Sequence, residues 1–244
     1  MKKFNIKLLD RDQKSIRRRI IEISYGKNLS HLGSCLSSVD IIDMIYKIKH
    51  KEDKFVLSNG HAGIALYAVL EKNGLIKNLK ALEKLYIHPD RNPKIGIDVS
   101  TGSLGQGLPI ALGLALSNKQ RNAYCIISDG ECTEGSIWES LRIATDYKIR
   151  NLKIVVNANG WGAYGSISTN TLLKRLRAFG CTVTDVDGHN KKALLRILRK
   201  KSRNKPLVIF AKTKVEQFNF LRGQDAHYYK MSKKDYNKAL EILK

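Results

Sequence analysis

The chain has 244 residues, 43% of them hydrophobic, which is enough to bury a sizeable core and ordinary for a globular protein. Lys and Arg number 44 against 22 Asp and Glu, a formal charge of +22. The basic residues are scattered through every segment, with runs at Arg17–Arg19, Lys191–Lys192 and Arg199–Lys201. That spread suits solvated helix faces, whereas nucleic-acid binding needs a concentrated patch with a docking motif, so no nucleic-acid role is expected and the field is left to an acidic partner or anionic substrates. Residues 1–14 are too charged for a signal peptide and the apolar stretches are too short to span a membrane, so a cytoplasmic protein without membrane contact is expected. Cys35, Cys125, Cys132 and Cys181 form no CxxC pair and read as reduced thiols packed as small hydrophobes.

Taken in chain order, residues 11–24 predict an amphipathic helix with Ile16, Ile20, Ile21 and Ile23 on its inner face. Ser37 or Ser38 is expected to cap a second helix running to Tyr46, and residues 62–72 predict a third, stopped at Asn73-Gly74. Residues 88–107, rich in Gly, Pro and Asp, predict mostly loop before a helix at 108–118. A regular alternation follows: strand 123–127, helix 135–147, strand 152–157, helix 170–178, strand 181–186, helix 191–201 and strand 206–212. Short apolar β-branched runs separated by helices predict an α/β fold, a mostly parallel sheet with helices on both faces, and the length is assigned to one domain, 1–244.

Ligands of such sheets bind at the carboxyl ends of strands, which directs attention to the loops after 123–127 and 152–157. The first reads Ser128-Asp129-Gly130-Glu131-Cys132-Thr133-Glu134-Gly135 and leads into a helix; the second reads Asn157-Ala158-Asn159-Gly160-Trp161. Gly130 permits close backbone approach, and the helix that follows aims amide hydrogens and its positive end at phosphate oxygens. One strand-helix-strand unit sets Asp129 beside Asn159. A carboxylate, an amide oxygen and a nearby carbonyl are hard donors suited to Mg2+ that also takes phosphate oxygens. Either loop alone is weak evidence, since Asp-Gly is most often only a turn.

Asp129-Gly130, then Glu134-Gly135, closed by Asn159, resembles the thiamine-diphosphate signature, and within those enzymes the chain resembles the amino-terminal part of transketolase. The resemblance extends through Ser30-His31-Leu32-Gly33, Phe55-Val56-Leu57-Ser58-Asn59-Gly60-His61 and Thr101-Gly102-Ser103-Leu104-Gly105-Gln106-Gly107, covering roughly residues 10–230. It implies the thiamine-diphosphate-binding fold, with Asp129, the Asn159 side chain and the Trp161 carbonyl on Mg2+. It further implies Gly130 and His61 at the diphosphate, and backbone groups of Gly102, Ser103 and Leu104 at the aminopyrimidine. His31 and His227 match histidines lining the cofactor and substrate channel, and Glu134 a carboxylate communicating between paired active sites. Glu134 also reads simply as a favourable acid in a first helical turn, and Trp138 and Glu139 as packing and surface residues.

The implied reaction is transfer of a two-carbon ketol unit between sugars or sugar phosphates. In the family the glutamate that activates the aminopyrimidine lies in a second domain, which implies a separate carboxyl-terminal subunit in an α2β2 heterotetramer. Two departures stand out. Ser128 replaces the usual Gly before Asp129, and Asn92 falls where transketolases acting on sugar phosphates place a substrate-binding His, which implies a different sugar unless His88 compensates. Competing readings are the cofactor-binding subunit of a 2-oxo acid dehydrogenase decarboxylase, and a non-catalytic scaffold of the same fold.

Overall fold

The computed structural model describes residues 4–77 and 85–244. The elements are α1 (Arg11–Gly26), α2 (Leu32–Tyr46), β1 (Lys54–Leu57), α3 (Gly63–Lys72), α4 (Gly107–Ser117), β2 (Ala123–Ser128), α5 (Gly135–Asp146) and β3 (Leu152–Ala158). There follow a short hairpin β4 (Trp161–Gly162) and β5 (Gly165–Ser166), then α6 (Thr169–Ala178), β6 (Thr182–Asp187), α7 (Lys191–Leu198), β7 (Leu207–Lys212) and α8 (Lys233–Ile242). Five strands form one parallel sheet in the order β1-β2-β3-β7-β6. The chain steps from β1 through β2 to β3, crosses to the far edge at β6, and returns to fill the gap with β7.

Alternation along the strands explains the two cores. Phe55, Leu57, Tyr124, Ile126, Val155 and Ile209 face one layer, made by α1, α2, α3, α7 and α8. Val56, Cys125, Ile127, Ile154, Val156 and Phe210 face the other, made by α4, α5 and α6. Because both faces are covered, the central strands β2 and β3 are buried at every position. The expected α/β architecture with a parallel sheet and helices on both faces is therefore the one observed, and all four cysteines are free and buried.

Three differences from the sequence reading have physical causes. The second helix starts at Leu32, not at Ser37 or Ser38, because its entry is fixed by tertiary contact: His31 sits at φ 63°, and its N–H donates to the His227 carbonyl (2.6 Å). Ser37 and Ser38 lie inside that helix, buried, and both accept from the Asn157 amide at 2.9 Å. Arg17, read as part of a solvated run, is fully buried; its guanidinium grips Asp40 on α2 (Nη2–Oδ2 2.5 Å) and donates to Gln217 (2.8 Å). An unpaired charge there would be prohibitive, so the pair acts as a fixed rivet between α1 and α2.

Candidate active site

The β2–α5 and β3–β4 loops lie side by side at the carboxyl end of the sheet, since β2 pairs with β3 up to Ser128 and Asn157. Asp129 is 1% exposed. Its carboxylate accepts from the Gly160 N–H (2.6 Å) and the Gly130 N–H (3.1 Å), so it ties the two loops together. Asn159 Oδ1 accepts from the Trp161 N–H at 2.9 Å, and Trp161 Nε1 donates to Glu216 (3.1 Å). Burial pushes the Asp129 carboxyl up to about 7, backbone donors offsetting only part of that, and among the described residues no Lys or Arg pairs with it. A Cβ on Gly130 would stand 3.2 Å from the Gly162 Cα, so this glycine is required for the loop to lie against the β4–β5 hairpin.

Two residues on, Glu131 is 0% exposed and organises the neighbourhood without having been singled out in the sequence. Its Oε1 accepts from Ser58 Oγ (2.6 Å) and the Gly105 N–H (3.0 Å), while Oε2 accepts from the Ser128 N–H (3.0 Å). One carboxylate thus joins the block ending in His61, the Gly102–Gly107 turn and the Asp129 loop. Burial raises its pKa against those donors. Its position three residues after Ser128 on an irregular turn gave no periodic signal.

Beside these loops is a cavity of about 190 Å³, lined by His31, His61, His88, Gly102, Leu104, Ser128, Gly130, Trp161, Gly162, Ala163, His227 and Tyr228. Four of the chain's six histidines converge here, with ring centroids 5.3 Å apart for His31 and His61, 6.4 Å for His31 and His88, and 6.2 Å for His61 and His227. Burial, aided by the neighbouring imidazoles, lowers His31 to about 4 and His61 to about 3, and burial lowers His227 too. These rings are therefore neutral at neutral pH, each with one donor and one acceptor nitrogen. The Nδ1 atoms of His31 and His227 are buried without a hydrogen-bond partner, as is Oδ1 of Asn59, two residues before His61. Orphaned polar atoms at a cavity are what a polar ligand satisfies.

Of the residues expected from the sequence, His31, His61, His227, Gly102, Leu104, Gly130 and Trp161 line this cavity, and Asp129 and Asn159 lie directly behind it. Ser103 is exposed and does not line it. Glu134 is exposed at the N-terminal end of α5 and stays outside, against Gly105, where an added Cβ would come within 2.7 Å of it. Trp138 packs on Phe179 with its Nε1 donating to the Cys132 carbonyl, and Glu139 pairs with Arg142 on the surface. Asn92 does not line the cavity; its backbone is bridged to Ile97 in both directions (2.9 and 3.1 Å). His88 occupies the cavity instead, its ring so close to the Gly102 turn that a Cβ there would meet Cδ2 at 3.1 Å. His88, which the sequence reading offered as partial compensation for the imidazole absent at position 92, therefore lies at the cavity itself.

Residues 27–238 match the family described as transketolase, thiamine diphosphate binding domain. The chain belongs to this family. It is similar to transketolase-like protein 2 of Mus musculus, 34% identical over 224 residues covering 81% of the chain and 36% of that protein. It is also similar to a protein of Actinobacillus succinogenes named as one subunit of an apulose-4-phosphate transketolase, 31% identical over 264 residues, covering 97% of the chain and 96% of the relative. Among solved structures, the transketolase of Campylobacter jejuni superposes with a TM-score of 0.81 at 26% identity, covering 98% of the chain and 43% of that molecule. The chain therefore spans about a third of the mouse relative but nearly the whole of a protein named as a subunit. The fold is that of transketolases with the thiamine-diphosphate-binding fold, and no helix among the described residues is long and apolar enough to cross a membrane.

Proposed function

We propose that this chain is a single-domain subunit that holds thiamine diphosphate and Mg2+ in a split, transketolase-like transferase moving a two-carbon ketol unit between sugar phosphates. The observation that carries the reading is the meeting of the Asp129 and Asn159 loops beside a cavity with two unpartnered imidazole nitrogens. A buried carboxylate without a cationic partner fits a divalent cation, and the donor set is hard oxygen throughout. Asp129, Asn159 Oδ1 and the Trp161 carbonyl would hold the metal; the Asn159 oxygen, already accepting one N–H, keeps a second lone pair for it. Mg2+ favours six ligands, so phosphate oxygens and water complete the set.

Gly130 and His61 contact the diphosphate, and the Gly102–Leu104 backbone positions the pyrimidine. When bound, the cofactor supplies the carbon nucleophile and the electron sink. His31 and His227 present neutral nitrogens to the sugar, with the His88 ring beside them, which lets them hydrogen-bond hydroxyls and take or return a proton at an imidazole nitrogen. Glu134, exposed beside the Gly105 turn, is placed to meet a second subunit, coupling paired sites.

A carboxyl-terminal partner supplies the activating glutamate, in an α2β2 assembly in the cytoplasm. Supporting this is the near-complete overlap with a relative that is itself named as one subunit of a transketolase. Support also comes from the outer face of α4, where Ile110 and Leu116 are 39% and 42% exposed beside the exposed Gly113. The test is calorimetry with thiamine diphosphate and Mg2+, then a ketol-transfer assay of the chain alone and co-expressed with its partner. Metal-dependent cofactor binding with activity only at a fixed subunit ratio supports the proposal. Full turnover by the isolated chain refutes the split, and absence of cofactor binding even with the partner leaves only the scaffold.

A further inference from the structure

At the opposite end of the sheet, where β1, β2 and β3 begin, lies a larger cavity of about 650 Å³. Six basic side chains line it: Lys47, His50, Arg150, Lys153, Arg199 and Lys201, and no carboxylate does. Its walls come from segments far apart in sequence, namely the end of α2, the turn before β3, the start of β3 and the end of α7. The side chains of Lys47, His50, Arg150, Arg199 and Lys201 make no hydrogen bond or ion pair among the described residues. Lys153 is 7% exposed, donates to the Leu198 carbonyl (2.6 Å) and lies 5.4 Å over the Tyr124 ring.

The plainer explanation is that cations collect at helix carboxyl ends, since Lys47 caps α2 and Arg199 caps α7. The magnitudes do not close on that basis. Two helix ends supply about one negative charge together, and Asp53, whose field reaches Lys153, supplies one more, against five fixed positive charges. The Asp53 carboxylate is moreover occupied by the N–H groups of His50 (2.9 Å) and Asn122 (2.7 Å). About three positive charges remain uncompensated in a concave site, where field lines are focused and a small anion is partly desolvated. The cavity is of the size that takes a small-molecule ligand.

We infer that this cavity is a second anion site, separate from the cofactor site, for a small molecule carrying a chain of two or three phosphoryl groups. Arg150, Arg199 and Lys201 at the rim make the phosphate contacts, with Arg favouring bidentate geometry, and the Lys153 ammonium anchors the inner phosphate. A concave pocket with an acid-free lining fits such a ligand better than an extended nucleic-acid strand, which needs a groove with stacking aromatics; the Tyr124 ring is only 2% exposed.

The test uses the full chain with thiamine diphosphate at one equivalent, to fill the cofactor site alone, at fixed free Mg2+, titrated calorimetrically with inorganic triphosphate, then with adenosine triphosphate, then with a single-stranded RNA oligonucleotide. A triple variant, Arg150→Ser with Arg199→Ser and Lys201→Ser, keeps the buried Lys153 and is checked for an unchanged urea midpoint. Triphosphate binding that persists with one equivalent of thiamine diphosphate in the cofactor site, is displaced only by a large excess of it, and weakens about tenfold or more in the variant supports the inference. Equal competition by adenosine triphosphate assigns recognition to the phosphate chain, and tighter competition adds the nucleoside; both are supporting outcomes. No heat of binding up to about 1 mM triphosphate overturns it. So does equal binding by the variant, or RNA binding that triphosphate does not displace.

Discussion

Glu131 offers the sharpest test of how the site is held together, because one buried carboxylate accepts three hydrogen bonds from three different segments. Replacement by Ala orphans the amides of Gly105 and Ser128 and opens a cavity; each buried unpaired N–H costs about 1–3 kcal/mol. Ser58 can turn its hydroxyl elsewhere, so the expected loss is about 4 kcal/mol, or roughly 8–16 °C in melting temperature for a chain of this size. Glu131→Gln keeps one acceptor oxygen and relieves a charge whose burial is already unfavourable, so it should lose only about 1 kcal/mol. Urea unfolding of both variants measures this, with a double-mutant cycle against Ser58→Ala isolating the Ser58–Glu131 pair. Cofactor titration of the folded Gln variant should show weakened binding, since Ser128 and the Gly105 turn border the cavity. An Ala variant within about 0.5 kcal/mol of the wild type would refute the argument that this carboxylate staples the site.

Asp129→Asn should abolish Mg2+-dependent thiamine diphosphate binding in calorimetry yet fold normally, because an amide oxygen still accepts from Gly160 while the charge is gone; retained metal-dependent affinity removes the proposed metal site. His31 and His61 should stay neutral in an imidazole NMR titration from pH 7.5 down to about 5, since their folded pKa values lie near 4 and 3. Both are depressed, so their contribution to stability is complete above the unfolded value of 6.5 and is lost as pH falls through the window from 6.5 to about 4. Wild type should therefore lose more stability than His31→Gln between pH 7 and pH 5, and equal losses would contradict the assignment. Gly60→Ala should destabilise severely, its Cβ landing 2.6 Å from the Thr101 carbonyl oxygen, whereas Gly113→Ala, with nothing within 4 Å, should stabilise α4 by about 0.5–1 kcal/mol in thermal melts.

The parallel sheet was legible because its strands are short β-branched runs at a regular spacing, and the ends of the predicted elements fall within a few residues of the observed ones. Strand β1 and the last helix, Lys233–Ile242, were not drawn from periodicity, and the helix entry at His31 was missed because a long-range bond to His227 sets it, not a local cap. In the site, the Asp129 and Asn159 loops were readable from strand-end logic alone. Glu131 was not, since its role lies entirely in partners at Ser58, Gly105 and Ser128 that only the fold brings near. Positions 88 and 92 were hard to rank for a related reason: spacing in a loop without regular structure does not say which of the two lines the cavity, and it is His88 that does.

As proposed above, the two ends of the sheet would hold a phosphate in opposite ways. Although the chain carries +22, the cavity at the carboxyl end is lined by no Lys or Arg; its acidic neighbour is the buried Asp129, and His31, His61 and His227 are held neutral by burial. A diphosphate brought there without metal would meet a buried carboxyl and a few amide dipoles, so under the proposed function the attraction would come from a divalent ion, for which no lysine at the cavity substitutes. A divalent ion held as proposed by Asp129 and Asn159 would be buried with its ligands, so added salt would screen them little. At the amino end the charge sits on exposed rim side chains around an acid-free cavity, where screening is effective and affinity should fall steeply with ionic strength. The run Arg199–Lys201, which the sequence reading assigned to a solvated face, contributes two of the side chains at this cavity.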